Sequence, residues 1–171
     1  MISVLVIGYR RPNLLGMVLR NIENIQFKKI YIAIDGPDSQ NSEISRDVLE
    51  CRKIAHQFAS KYSNVELLFP TNHLGCFRGV TSAITWFFHS ENSGIILEDD
   101  LHISHQAVKW SAEMIERFES KKSIGSISLY RARAYGDSGT KQDLLLKSPY
   151  PTSWGWITWR DRWKYFLEDL D

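Results

Sequence analysis

The sequence is poor in the residues that stabilise very small or secreted folds. It contains two Cys and five Pro among 171 residues. A chain of this length buries roughly 70% of its unfolded surface, so it needs neither disulfides nor a structural metal to form a core. We therefore expect one globular domain in which Cys51 and Cys76 are reduced thiols that pack as small hydrophobes rather than act as nucleophiles.

Long apolar runs and an excess of one charge are also lacking. No run approaches the roughly 18 residues that span a bilayer, which predicts no transmembrane segment. The start, Met1 to Ile7, has no basic residues before its apolar run, so it predicts a buried strand rather than a signal peptide, and the simplest expectation is a cytoplasmic protein. Lys and Arg total 21 against 20 acidic residues, a net charge of +1, which argues against a nucleic-acid partner.

What the sequence does contain is a regular alternation of two patterns. Short β-branched runs predict strands, and between them lie longer segments of helical period. The predicted strands are 2–7, 30–34, 65–69, 94–97 and 124–129, and the predicted helices are 12–24, 42–62, 75–89 and 104–118. This alternation predicts an α/β fold with a mostly parallel central sheet and helices on both faces.

Three adjacent carboxylates, Glu98, Asp99 and Asp100, follow the fourth predicted strand directly. The carboxyl ends of strands are where open α/β sheets bind their ligands. Adjacent carboxylates repel one another, and a divalent cation shared with a phosphate relieves that repulsion. Oxygen ligands favour Mg²⁺ or Mn²⁺. The alternative is a solvated acidic turn at the start of the next helix.

Two other strand ends carry polar turns. Asp35 follows the second predicted strand and precedes Gly36 and Pro37, so it is placed either to bind a ligand or to stabilise its own turn. The segment 72–75, Asn-His-Leu-Gly, opens the third predicted helix, and Arg78 lies in the first turn of that helix. A helix N-terminus beside a guanidinium suits an anion, although Asn and Gly also serve as plain helix caps.

Histidine and arginine pairs offer weaker signals. His102 and His105 follow the acidic residues closely enough to be considered as metal ligands, but the absence of a complete ligand spacing favours surface histidines. Arg131 and Arg133, at the end of the fifth predicted strand, suit either a pyrophosphate or a solvated strand end. The polar, Gly-containing stretch that follows Tyr130 predicts a long surface loop.

Tryptophan is concentrated near the end of the chain, where four of the six fall between Trp154 and Trp163. Gly155, between two Trp residues, permits a close backbone approach, and indole faces suit stacking on sugar rings. Core packing is the alternative, and we favour the sugar contact.

Five features follow one another along the chain: the N-terminal strand Val4-Leu-Val-Ile-Gly-Tyr-Arg-Arg-Pro, the Asp35 turn, the Asn72 to Gly75 turn, the acidic cluster Glu98-Asp99-Asp100 and the Trp-Gly-Trp segment. In this order they resemble a nucleotide-sugar glycosyltransferase of the GT-A fold. The likeness covers nearly the whole chain and is nearest to the N-acetylglucosaminyltransferase I type and to bacterial family-two-like sugar transferases. It implies a Rossmann-like fold. Residues 1–130 would bind the donor, and 131–171 would form a loop and a Trp-rich donor-sugar and acceptor region of the same domain.

The same resemblance assigns roles to individual residues. The acidic cluster would be the group's form of the DxD motif, in which Asp100 binds Mn²⁺ (or Mg²⁺) while Glu98 and Asp99 face the sugar and ribose. Asp35 would contact the uracil. The residues bordering the nucleotide or its phosphates would be Ile7, Gly8, Tyr9, Arg10, His73 and Arg78, and those shaping the sugar and acceptor pocket would be Trp154, Gly155 and Trp156.

The implied reaction is metal-dependent, inverting transfer of a sugar, N-acetylglucosamine being one candidate, from a UDP-sugar to a hydroxyl of a glycan, a lipid-linked or a small acceptor. Inverting members use an acidic base downstream of the Trp-Gly-Trp segment. The candidates here are Asp161, Glu168, Asp169 and Asp171. The alternatives are a donor-binding fragment without its base and a non-catalytic nucleotide-sugar binding module. A receiver-like phosphoacceptor domain is disfavoured, because its acidic pair would follow the first strand.

Overall fold

The computed structural model describes residues 1–130 and 147–169. Six strands and five helices occur there in the order β1 (Val4–Gly8), α1 (Pro12–Glu23), β2 (Ile30–Ile34), α2 (Ser42–Ala59), β3 (Val65–Leu68), α3 (Gly75–Ser90), β4 (Ser93–Glu98), α4 (His105–Phe118), β5 (Ser126–Ser128), β6 (Trp156–Trp159) and α5 (Arg160–Glu168). In this part of the chain, no helix combines the length and apolarity needed to cross a membrane.

The six strands form one sheet in the order β3-β2-β1-β4-β6-β5. The first four strands are parallel, with Val4 of β1 opposite both Ile30 of β2 and Ile95 of β4. Strand β6 then runs antiparallel to both β4 and β5. The predicted α/β class and mostly parallel sheet are confirmed.

Successive side chains of each strand pack on opposite faces of the sheet. Val4, Val6 and Ile32 join one buried cluster with residues of α1, α2 and α4. Leu5 and Tyr31 join a second cluster with α3 and with Trp163 of α5. Helices therefore cover both faces, which explains why the parallel strands are continuously hydrophobic.

The helix starts follow their capping residues. Pro12 stands in the first turn of α1, where its missing N–H costs nothing. The Asn41 side chain accepts hydrogen bonds from the backbone N–H groups of Glu43 and Ile44. Asn41 therefore caps α2, which begins at Ser42 as predicted. Ser104 caps α4 through the N–H of Ala107. The second predicted helix was extended too far, because α2 ends at Ala59.

The prediction was least complete at the end of the chain. Strand β5 has three residues, Ser126 to Ser128, rather than the six predicted, and neither β6 nor α5 was predicted. The Trp-rich segment was interpreted as a binding surface, yet Ile157, Trp159 and Trp163 are buried. The predicted loop after Tyr130 lies outside the described residues.

Candidate functional site

The carboxyl ends of β1 and β4 meet where the direction of the strand order reverses. From β1 the chain moves outward to β2 and β3, and it then crosses back to place β4 on the other side of β1. Ligands of open α/β sheets bind at this switch point, outside the carboxyl ends of the strands. Glu98 is the last residue of β4 and lies opposite Ile7 of β1, so the predicted acidic cluster stands at the switch point itself.

Asp99 is the buried member of the acidic cluster, with only 2% of the residue exposed. Its Oδ2 accepts a long hydrogen bond of 3.4 Å from the backbone N–H of Tyr9. A Cβ on Gly8 would stand 3.3 Å from the same oxygen, so the absence of a side chain there lets the end of β1 approach the carboxylate. Asp99 thus joins the two strands at the switch point.

Arg11 bridges the acidic cluster and was not among the predicted site residues. Its Nη2 donates to Asp99 Oδ1 and its Nη1 donates to Asp100 Oδ2 at 2.7 Å. The hydrogen bond to Asp99 raises the pKa of the Arg11 guanidinium, against a lowering by burial. The Arg-Arg pair after β1 was the available signal, but the sequence did not show which of Arg10 and Arg11 turns toward β4.

The folded structure disfavours the ionised forms of Glu98 and Asp99. Burial raises the pKa of Glu98 above its ordinary value, and the charge of Asp100 raises it further. Burial also raises the pKa of Asp99, although the Arg11 hydrogen bond opposes it. Asp100 is the accessible member, with 39% of its side chain exposed.

Beneath the cluster lies Cys51, which is fully buried on α2. Burial raises the pKa of its thiol to about 12, and the charge of Asp99 acts in the same direction. A thiol that stays protonated is a poor nucleophile, so Cys51 is a packing residue, as expected. Cys76, expected to pack, is instead exposed.

Asp35 organises a second turn at the same edge of the sheet. Its Oδ1 accepts from the backbone N–H groups of Gly36 at 2.7 Å and Leu74 at 3.0 Å. Its Oδ2 accepts from the N–H of Gly75 at 3.1 Å and lies 2.8 Å from Nδ1 of His73. Two carboxylate oxygens offer about four lone-pair sites, so partners within the chain fill the acceptor capacity of Asp35.

This network occupies the helix N-terminus that the sequence suggested as an anion site, because Asp35 itself caps the start of α3. The turns after β2 and β3 are in close contact: a Cβ on Gly36 would lie 2.0 Å from the carbonyl carbon of Asn72. The His73 ring stacks on Tyr9, with centroids 4.7 Å apart and planes inclined by 17°. Tyr9 thereby connects the Asp35 turn to the acidic cluster.

Trp154 and Gly155 lie beside the end of β4. Gly155 has a φ of +69°, a conformation that favours glycine. A Cβ there would approach Leu97 and Leu101 at 3.5 and 3.9 Å. The Trp154 ring is 56% exposed and packs edge-on against Tyr130 at 5.0 Å. Trp156, by contrast, packs against the core cluster that contains α3.

The structure does not bring all predicted site residues together. Arg10 and Arg78 are exposed near the same edge, and Ile7 packs against the core. Asp161 lies at the opposite edge of the sheet. It follows β6, which ends at Trp159 opposite Ser93, the first residue of β4. Ser93 is about 16 Å from Glu98 at the usual strand rise per residue. Asp161 is ion-paired there with Lys122 and Arg162.

The remaining candidates are placed as follows. Glu168 and Asp169 are exposed at the end of α5. His102 and His105 are exposed, and no group of three or more His, Cys, Asp or Glu suited to hold a metal is found among residues 1–130 and 147–169. Arg131, Arg133 and Asp171 lie outside the described residues.

The acidic cluster nevertheless suits one kind of metal site. Mg²⁺ and Mn²⁺ bind through one or two carboxylates together with substrate phosphates and water, without a complete cage of protein ligands. Asp100 offers an accessible carboxylate. Burial, and after it the charge of Asp100, raise the pKa of Glu98, so a nearby cation would stabilise the ionised form of Glu98. These oxygens fit a divalent cation held jointly with a diphosphate.

Comparison of the sequence with protein families and with curated proteins finds no match. Solved structures are similar in fold. A mannosyltransferase, PcManGT from Pyrobaculum calidifontis in complex with GDP-Man and Mn²⁺, has a TM-score of 0.52 at 10% identity over 74% of this chain. This chain spans only 34% of the length of that structure.

Two structures of 4-diphosphocytidyl-2C-methyl-D-erythritol synthase are similar at a lower level. One has a TM-score of 0.43 at 11% identity, over 92% of this chain and 75% of its own. The other, from Anaerococcus prevotii, has a TM-score of 0.46 at 8% identity, over 97% of this chain and 75% of its own. The likeness to the mannosyltransferase supports the predicted Rossmann-like α/β fold.

Proposed function

We propose that this chain binds a nucleotide sugar at the carboxyl edge of its sheet and transfers the sugar to a hydroxyl acceptor. One observation carries the proposal: the acidic cluster, its Arg11 partner and the Asp35 turn meet at the topological switch point. The fold it shares with a GDP-mannose-bound mannosyltransferase supports the same assignment.

In this proposal the nucleoside lies over the Asp35 turn. His73, held by Asp35 and stacked on Tyr9, presents its ring edge to the base. Asp35 reaches the uracil only if it gives up one of its present hydrogen bonds, so we assign it first to orienting His73. Gly8 and Arg10 border the nucleotide, and Arg11 and Arg78 supply positive charge for the phosphates.

We further propose that Asp100 holds Mn²⁺, or Mg²⁺, together with the donor diphosphate. When bound there, the cation would neutralise the negative charge that develops on the leaving diphosphate. Glu98 and Asp99 remain proposed contacts of the sugar and ribose. Both the metal at Asp100 and the ligand contact of Asp99 need Arg11 to move, since its side chain donates to both carboxylates and Asp99 is buried beneath it.

The nucleotide, the transferred sugar and the acceptor are part of the same proposal. UDP is the proposed nucleotide and N-acetylglucosamine the proposed sugar, by resemblance to the N-acetylglucosaminyltransferase I type. Trp154 and Gly155 border the sugar, and the exposed Trp154 face suits a glycan, a lipid-linked sugar or a small hydroxyl acceptor. In an inverting reaction the acceptor hydroxyl would lose its proton to an acidic base as the sugar leaves the diphosphate.

The position of Asp161 favours a second candidate function. Because this carboxylate is ion-paired at the opposite edge of the sheet, it does not face the acidic cluster. Glu168 and Asp169 stay as the proposed bases on α5. If neither serves, the chain is a donor-binding module or part of a larger transferase, and it binds the nucleotide sugar without turnover.

Calorimetric titration tests the donor site directly. UDP, UDP-N-acetylglucosamine, GDP and GDP-mannose are titrated with and without Mn²⁺ into the wild type and Asp100→Asn. Asp47→Asn is the matched control, because Asp47 resembles Asp100 in side-chain exposure, 37% against 39%, and in having an arginine partner. We expect Mn²⁺-dependent binding that Asp100→Asn weakens by at least about tenfold and Asp47→Asn leaves intact.

Each outcome is informative. Absence of binding by the wild type with all four nucleotides would refute the donor site. Preference for GDP would keep the site and replace the proposed nucleotide. Release of free UDP above background on addition of acceptors would exclude the binding-module alternative.

A further inference from the structure

One arginine behind the proposed donor site connects the ends of two strands. Arg52 follows the buried Cys51 on α2, and its Nη2 donates to the main-chain carbonyls of Ile34 at 3.5 Å, Asp35 at 3.2 Å and Pro70. The Ile34 carbonyl ends β2, the Asp35 carbonyl comes directly after it, and the Pro70 carbonyl follows β3. A single side chain therefore holds together the starts of the two turns that carry Asp35 and His73.

The environment of Arg52 shows that this contact is costly. Burial lowers the pKa of the guanidinium, and the charge of Asp35 opposes that effect only in part. Its Nε is buried without a hydrogen-bond partner among the described residues, and its guanidinium carbon lies 5.1 Å from the centre of the Phe69 ring. Partly buried cations are uncommon unless several acceptors compensate them, and here backbone carbonyls do so.

The two turns touch at several points that depend on their separation. Asp35 accepts from the N–H groups of Leu74 and Gly75 across the gap, and Gly36 lies directly against the carbonyl of Asn72. A small shift of either turn would break these hydrogen bonds and unstack His73 from Tyr9. Arg52 donates to backbone carbonyls of both turns, so it can fix their separation without contacting a bound nucleotide.

We propose that Arg52 is a positioning residue for the nucleobase side of the donor site. This inference rests on the proposed function, in which His73 and Tyr9 face the base. Arg52 acts through the carbonyls of Asp35 and Pro70, which hold the turn after β2 against the turn after β3. The described hydrogen bonds of Arg52 go to backbone carbonyls of these two turns and not to the acidic cluster, so we expect its effect to be larger for ligands that carry a base.

The test separates the base from the diphosphate. UDP and inorganic pyrophosphate are titrated with Mn²⁺ into the wild type, Arg52→Met, Arg52→Lys and the control Arg46→Met. Arg46 lies on the same helix, with 73% of its side chain exposed. We expect Arg52→Met to weaken UDP binding at least about tenfold while pyrophosphate binding is unchanged. Arg52→Lys should recover part of the loss, because an ammonium also donates to several acceptors.

A loss of equal size for UDP and pyrophosphate would show a general structural role and overturn the inference, as would unchanged UDP binding in Arg52→Met. If Arg52→Met does not fold, Arg52→Lys is judged by the same comparison of the two ligands. Amide hydrogen exchange tests Arg52 independently of any nucleotide. We expect Arg52→Met to exchange its Leu74 and Gly75 amides faster than the wild type, with exchange in β1 and β4 unchanged. Uniformly faster or unaltered exchange would contradict the inference.

If wild-type UDP binding is absent, the proposed function fails, while the exchange experiment still decides whether Arg52 holds the two turns together. Failure of the inference alone would leave wild-type UDP binding intact and the Leu74 and Gly75 amides unaffected by Arg52→Met.

Discussion

Glu98 illustrates how a functional side chain can lower the stability of the fold that carries it. Its carboxylate ends a central strand, where burial and the neighbouring Asp100 raise its pKa. A carboxyl whose pKa is higher in the folded state than in the unfolded state binds more protons when folded. Its effect on the free energy of unfolding is therefore zero below the ordinary carboxyl pKa and unfavourable above the raised pKa.

We expect Glu98→Gln to increase the free energy of unfolding at pH 7 and to have no such effect at pH 3, where the wild-type carboxyl is protonated. Urea unfolding at the two pH values measures the difference. Glu50→Gln is the control, since Glu50 is exposed on α2 and its ion-pair partner in the described part of the chain is Lys53. An equal gain at both pH values would show that the amide packs better and that charge is not the cause. Donor binding should fall in the same variant.

At the scale of elements, the candidate site depends on two turns that fit against each other. The chain follows β2 into Asp35-Gly36 and follows β3 into Pro70 through Gly75, and the two segments meet at Gly36. There is no room for a side chain at this contact, because the nearest atoms belong to backbone. The need for glycine at position 36 therefore comes from close approach, while its φ is ordinary.

We predict that Gly36→Ala separates the two turns. It should lower the free energy of unfolding by about 1–3 kcal/mol, the usual cost of overpacking, and weaken UDP binding. Gly125→Ala is the matched control, since a Cβ at Gly125 would meet nothing within 4 Å. Urea unfolding and calorimetry of both variants provide the measurements. Equal, small effects of the two substitutions would contradict the tight contact at Gly36.

The elements that sequence predicted well are those with strong local signals. Helix α1 begins at Pro12 as expected, and the buried parallel strands β1, β2 and β4 were found because they are continuously hydrophobic. The positions of Asp35 and the acidic cluster at carboxyl ends of strands followed from their places directly after predicted strands in the sequence. Local pattern could not reveal that Arg11 turns toward Asp99, or that Arg52 spans two turns, since both contacts depend on tertiary packing.

Strand β6 shows a different limit. With only four residues, Trp156 to Trp159, it is too short to show a clear alternation, and the segment was interpreted as an aromatic surface. Its two partners, β4 and β5, are some sixty and some thirty residues earlier in the chain, and pairing at such distances leaves little trace in local composition. The same long-range pairing sets Asp161 at the edge opposite Glu98, which no reading of the nearby sequence would indicate.

At the scale of the whole molecule, β6 joins the end of the chain to the centre of the sheet. It lies between β4 and β5, so β5 is attached to the rest of the sheet through β6. Ile157 and Trp159 are buried in it, and Arg162 of α5 lies over the Trp159 ring at 4.2 Å. The donor side and the Trp-rich side should therefore unfold as one cooperative unit.

Trp159→Ala tests this cooperation, with Trp154→Ala as a control of the same type in the same segment. Trp159 is 2% exposed and Trp154 is 56% exposed. We expect Trp159→Ala to lower the free energy of unfolding by about 3–5 kcal/mol, because the residue is buried. Trp154→Ala should change it by no more than about 0.5 kcal/mol. Urea unfolding followed by both tryptophan fluorescence and far-UV circular dichroism should give coincident single transitions for both variants. Two separated transitions in Trp159→Ala, with donor binding retained through the first, would show instead that β1 to β4 form an independent donor-binding unit and that β6 merely packs against it.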